Sequence, residues 1–122
     1  MAIQIETEAN GLLNIRVSSF MSREDEKQCQ EAIVKAIKLY GTVKGLVVLE
    51  AFQGWEKSTE WEDLLFYAEY ENKVVKIAVI GDLKWHDDMF AFLSGPFRSG
   101  SVKLFNPSQE SKARAWLSSP IT

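Results

Sequence analysis

His86 is the single histidine in the chain, and it lies among Asp82, Asp87 and Asp88. A histidine beside carboxylates is a common source of proton transfer and, with further ligands, of a zinc site. The spacing here serves neither. Neighbouring residues on a helix point about 100° apart, so one turn brings at most two of these side chains together. Zinc needs three or four converging donors, and no second histidine supplies one. Asp87 and Asp88 fit better as first-turn acids that complement the dipole of a helix predicted over 89–95. We therefore expect His86 to be partly exposed, and assign no catalytic residue, no metal ligand and no cofactor.

Other reactive groups lead no further. Cys29 falls on the apolar stripe of a predicted helix, where burial raises a thiol pKa and leaves a small hydrophobe. A nucleophile elbow of the Gly-x-Ser-x-Gly type does not occur, and the glycines at 41, 45, 54, 81, 95 and 100 form no phosphate-binding pattern. Asp82 has the best position of the carboxylates, because open α/β sheets bind ligands at the C-terminal ends of their strands and Asp82 follows such a strand. Capping a helix or turn is the more common role for an aspartate so placed.

A group of large apolar residues is placed in the same way. Trp55, Trp85, Met89, Phe92 and Phe97 all lie at or beyond the ends of predicted central strands, in loops or a short helix. They either close one end of the core or line a pocket or docking surface. In the second case the ligand-binding residues are Phe52, Trp55, Asp82, Trp85, Met89, Phe92 and Phe97, with Lys84 and Arg98 on the border.

Positioning these residues requires a core, and 122 residues are enough to bury one as a single domain, 1–122. With a net charge of −3 and scattered cations, the chain has no footprint for a phosphate backbone, so nucleic acid is not an expected partner. No segment approaches the ~20 apolar residues of a membrane span. The start, "MAIQIETEAN", alternates like a strand and lacks a signal core, so a cytoplasmic location is expected.

Ile3 and Ile5, then Leu13, Ile15 and Val17, alternate with polar residues around Asn10-Gly11, and predict an antiparallel hairpin. Cys29, Ala32, Ile33, Ala36, Ile37 and Tyr40 repeat at helical spacing, with Ser22 as the cap and Gly41 as the stop. "GLVVLEAF" (45–52) and "KVVKIAVIG" (73–81) are apolar on both faces, as adjacent parallel strands would be. Between them a capping box at Thr59–Glu62 starts a helix to about Glu71, which leaves Phe66 and Tyr70 off its core stripe. "SVKLF" (101–105) is edge-like, and Asn106-Pro107 with Gln109 opens a last helix that turns Ala113, Trp116 and Leu117 inward. The order is β-β-α-β-α-β-α-β-α, a mixed, mostly parallel sheet flanked by helices.

Phe52 with Gly54-Trp55, Trp61-Glu62-Asp63, "AVIGDLKW" (78–85), Pro96-Phe97 and "ARAWL" (113–117) resemble in order and spacing the SpoIIAA-like proteins, small bacterial domains related to the STAS fold. The resemblance covers about Ile3 to Leu117. It implies a STAS-like α/β sheet, and a similarity to lipid-carrying CRAL-TRIO domains that suggests a ligand cavity. The phosphorylatable serine motif of anti-sigma-factor antagonists has no match in "FQGWEKSTEW" (52–61), where Ser58 and Thr59 read as helix caps.

Taken together, these features predict a non-enzymatic cytoplasmic binding or regulatory module whose partner, a protein or a small apolar ligand, they do not identify. A small carrier of an apolar ligand or lipid is the alternative, and an uncharacterised hydrolase the third. Phe66 and Tyr70, one turn apart, are the expected homodimer contact.

Overall fold

A computed structural model describes residues 3–8, 11–55, 73–88 and 102–119. The helices expected over 59–71 and 89–95, and with them Phe66, Tyr70, Met89, Phe92 and Phe97, lie outside the described residues. The elements are β1 (Ile3–Glu8), β2 (Leu12–Met21), α1 (Arg23–Tyr40), β3 (Val43–Trp55), β4 (Val74–Ile80), a 3-10 turn (Leu83–Trp85), β5 (Val102–Phe105), a second 3-10 turn (Pro107–Gln109) and α2 (Glu110–Ser118).

The five strands form one sheet in the order β1-β2-β3-β4-β5. β1 runs antiparallel to β2, and the other neighbours are parallel. As the apolar runs require, β3 and β4 are adjacent interior strands, with Gly45 opposite Ile77 and Val48 opposite Ile80. This is the expected mixed, mostly parallel α/β sheet.

Local signals set the helix ends. Ser22 Oγ accepts from the Asp25 amide at 3.1 Å while Asp25 Oδ2 accepts from the Ser22 amide at 2.9 Å, a reciprocal box at the start of α1. Gly41, at φ +85°, ends the helix and donates to the Ile37 carbonyl at 2.8 Å. Gln109 Oε1 takes the Asn106 amide at 2.9 Å, so the anticipated box is present, although it opens a 3-10 turn before α2.

The sheet has two apolar faces. One carries Ile3, Leu13, Ile15, Val17, Val43, Phe52, Ile77, Val79 and Val102, packed with Ala36, Cys29 and Ile33 of α1. Burial pushes the Cys29 thiol up to about 12, with Asp25 and Glu26 adding to the shift, so it stays protonated as the helical stripe implied. Tyr40, placed on that stripe by spacing, is instead exposed at the helix end. The other face carries Leu46, Val48, Ala78, Ile80 and Phe105 under Ala113 and Leu117 of α2.

Two lysines seat α2 on that second face. Lys76 Nζ donates to the Trp116 and Ser119 carbonyls at 2.7 and 2.9 Å, and Lys44, its register partner, donates to the Leu117 carbonyl. They meet carbonyls at the helix C-terminus, among them that of Trp116, which also accepts from the Ser119 amide and hydroxyl, and their charge complements the helix dipole. At the open end of this face Arg114 reaches Glu8 at 3.1 Å, which holds the Glu8 carboxyl below its usual range.

The C-terminal end of β3 departs from regular pairing. Ser18 is opposite Glu50, Ser19 opposite Phe52 and Phe20 opposite Gly54, so Ala51 and Gln53 have no partner in β2. These are bulges, and Ala51 takes the left-handed backbone at φ +49°. The sequence places Phe52–Trp55 in a loop; they are the bulged end of a strand. A left-handed alanine costs about 1–2 kcal/mol, whereas burying Phe52 returns roughly 1.5–3 kcal/mol. Burial decides the conformation. Ala51 is exposed, so Ala51→Val should lower unfolding stability by about 1–2 kcal/mol in urea, while Ala51→Gly should change it by less than about 1 kcal/mol. Equal stability of the three proteins would contradict a left-handed residue 51.

Candidate functional site

The ends of β3, β4 and β5 meet beyond the sheet, and a cleft of about 440 Å³ opens there. Leu49, Ala51, Phe52 and Gln53 line it from β3, Asp82, Lys84 and Trp85 from the turn after β4, and Pro107 from the approach to α2. It lies outside the carboxyl ends of the parallel strands, the end of an open α/β sheet at which ligands bind.

The floor of the cleft is aromatic. Phe52 and Trp85 pack edge to face, with centroids 4.9 Å apart and planes at 67°. The far edge of the indole lies over Gly54, where a Cβ would come within 3.4 Å of it. The chain leaves β4 through Gly81, at which a Cβ would meet Leu49 Cδ1 at 2.7 Å. A side chain there would push β4 away from β3 and deform the wall that Leu49 provides.

His86 holds the rim together. Its Nε2 is 3.0 Å from the Gly81 carbonyl and 3.2 Å from the Phe105 carbonyl, and both are acceptors, so Nε2 carries the proton and donates. The Gly81 amide also donates to Phe105 at 3.1 Å. The ring thus ties the exit of β4 to the end of β5 and is partly exposed, as the sequence implied. Among the described residues no three His, Cys, Asp or Glu side chains cluster as a metal would need.

The charges are at the mouth. Asp82 precedes the 3-10 turn, but its side chain makes no capping bond; only its carbonyl serves the turn, accepting from the Trp85 amide at 3.0 Å. The capping role that the sequence allowed is therefore not made by the carboxylate, which is exposed. Lys84 Nζ stands 5.7 Å from the Trp85 ring centroid. Two large apolar side chains are exposed at the same end of the strands, Leu83 at 72% and Phe20 at 51%.

Of the residues assigned to ligand binding from sequence, Phe52, Asp82 and Trp85 come together here. Trp55 ends β3, but its side chain, with Met89, Phe92, Phe97 and Arg98, lies outside the described residues. Sequence reasoning missed Leu49, Ala51, Gln53 and Pro107. Leu49 and Ala51 looked like ordinary strand residues, and Pro107 like a helix start.

Comparison with known proteins agrees with this architecture. A family model described as SpoIIAA-like matches residues 12–118. Among solved structures, the chain is similar to an uncharacterized protein of the DUF3478 family with a SpoIIAA-like fold from Shewanella loihica PV-4. The TM-score is 0.67 at 20% identity, over 95% of this chain and 92% of that one. No curated protein matches the chain.

Removing the imidazole would leave the Gly81 carbonyl without this donor, a loss worth about 1–2 kcal/mol. His86→Ala should therefore lower the melting temperature by roughly 3–6 °C in a thermal scan. An unchanged melting temperature would contradict the tether, as would stoichiometric zinc that is bound by the natural chain and lost in the variant.

Proposed function

We propose a role from one premise: the chain belongs to the SpoIIAA-like family. It is a binding or regulatory module of the STAS-like type and not an enzyme, acts as a single cytoplasmic domain, and meets a protein partner with the C-terminal ends of its parallel strands. The observation that carries this proposal is the cleft bounded by Phe52 and Trp85, with exposed Leu83 and Phe20 at the same end of the sheet. An exposed apolar surface beside a concave site with a few polar groups is the usual anatomy of recognition.

The chemistry of the rim supports binding over catalysis. A general base needs a free lone pair aimed into the site, and His86, whose Nε2 donates to two backbone carbonyls, is not among the residues that line the cleft. Cys29, with its raised pKa, is under α1 on the sheet face and does not line the cleft. No helix among the described residues is long and apolar enough to cross a membrane. Self-association through Phe66 and Tyr70 belongs to the same proposal and rests on the sequence pattern alone.

A second reading, a carrier of a small apolar ligand, is favoured by the wall that Leu49, Phe52 and Trp85 form. Native mass of freshly purified protein separates the two, because a carrier retains extra mass that denaturation releases. Either way Trp85 is the main contact, and burying one such side chain is worth roughly 1.5–3 kcal/mol. With anilinonaphthalene sulfonate as the probe, Trp85→Ala should weaken binding by about tenfold or more, while Lys38→Ala on the outer face of α1 should not. Equal affinity in the two variants would place the site elsewhere.

A further inference from the structure

We propose that the cleft recognises a small zwitterion: an α-amino acid, or a molecule that likewise carries one cationic and one anionic group a few bonds apart. This proposal rests on the cleft being the binding site, and adds the chemistry of its occupant.

Asp82 and Lys84 both line the cleft, both are exposed, and they carry opposite charges two positions apart on one turn. Neither has an ion-pair partner among the described residues. The carboxylate does not cap its own turn, and the ammonium is held over the Trp85 ring at 5.7 Å. A ligand with a single charge would gain from one of these groups and be repelled by the other. An uncharged ligand would displace water from both and replace neither interaction. A zwitterion satisfies both, with its ammonium toward Asp82 and its carboxylate toward Lys84.

The rest of the cleft suits the same class. Phe52 and Trp85 offer an aromatic floor for an apolar side chain, and Gln53 adds an amide at the wall. The volume, about 440 Å³, falls at the small end of the ~300–1,000 Å³ usual for ligand pockets. That suits an amino acid.

The test uses the full chain, isotopically labelled, with the Trp85 indole N–H resonance as the readout, assigned from its loss in Trp85→Phe. Four probes are titrated: L-leucine, L-leucine amide, N-acetyl-L-leucine and N-acetyl-L-leucine amide. L-leucine should shift the resonance saturably at roughly millimolar concentration, and removing either charge should weaken binding about threefold to fivefold, the range for an exposed ion pair. Asp82→Asn should erase the penalty for the acetylated probe and keep the penalty for the amide, whereas Lys84→Met should do the reverse. If the doubly blocked probe binds as well as L-leucine, the cleft stands as a site but the zwitterion proposal is overturned. If no probe shifts the resonance while anilinonaphthalene sulfonate does, the proposal is likewise overturned; if none of the five does, the cleft itself is not the site.

Discussion

Side chains alternate along a strand, and by that alternation Phe52 should point with Leu46 and Val48 toward α2. It points the other way, into the core shared by Val47, Leu49 and α1. The extra residue at Ala51 makes this possible, since two residues of β3 there oppose one of β2. From that one change of parity follow the edge-to-face contact with Trp85, the placement of Gly54 under the indole, and a cleft whose wall is a bulged strand. A similar device lies at the other end of the β3/β4 pair. The register shifts between Val43 and Lys44, which lets Val74 and Ile77 face the same core across an odd number of residues.

The second face determines where the rim is. α2 is anchored by its C-terminus on Lys44 and Lys76, with Trp116 packed on Phe105 and both Lys76 and Lys103 near its ring. Burial and the neighbouring Lys44 charge both push the Lys76 pKa down, and the carbonyls of α2 supply the acceptors that its ammonium needs. Seating the helix in this way fixes Pro107 at the edge of the cleft. His86 ties Phe105 to Gly81 on the same side. The site is therefore held by hydrogen bonds between elements, from Lys44 and Lys76 of the central strands to the C-terminus of α2 and from His86 to the end of β5.

Much of this frame was legible in the sequence because its signals are local. The Ser22 cap, the Asn106 box, the stop at Gly41 and the apolar runs of β3 and β4 need only a few neighbouring residues to be recognised, and each is where the pattern puts it. What was not legible depends on residues far apart in the chain. Lys76 looked like a polar break in an apolar strand, yet its acceptors are 40 and 43 positions away. His86 invited a chemical reading because its carboxylate neighbours are adjacent in sequence, while its partners are the Gly81 carbonyl and the Phe105 carbonyl, the second 19 positions on. The bulge at Ala51 has no composition signal, since alanine is neither glycine nor asparagine, and the pattern ended the strand early there. For the candidate site, Phe52, Asp82 and Trp85 could be named from their place after central strands, but not the backbone irregularity that brings them together.

β3 is bulged at Ala51, and by that bulge Phe52 joins the α1 side of the sheet and builds the cleft with Trp85. Nuclear Overhauser contacts of the Phe52 ring test it most directly. Strong contacts from Phe52 to the Trp85 indole and Leu49 methyls, with a residue 51 coupling constant that reports positive φ, are the expected result. Contacts from Phe52 to Ala113 or Leu117 of α2, with residue 51 in an ordinary extended conformation, would contradict it.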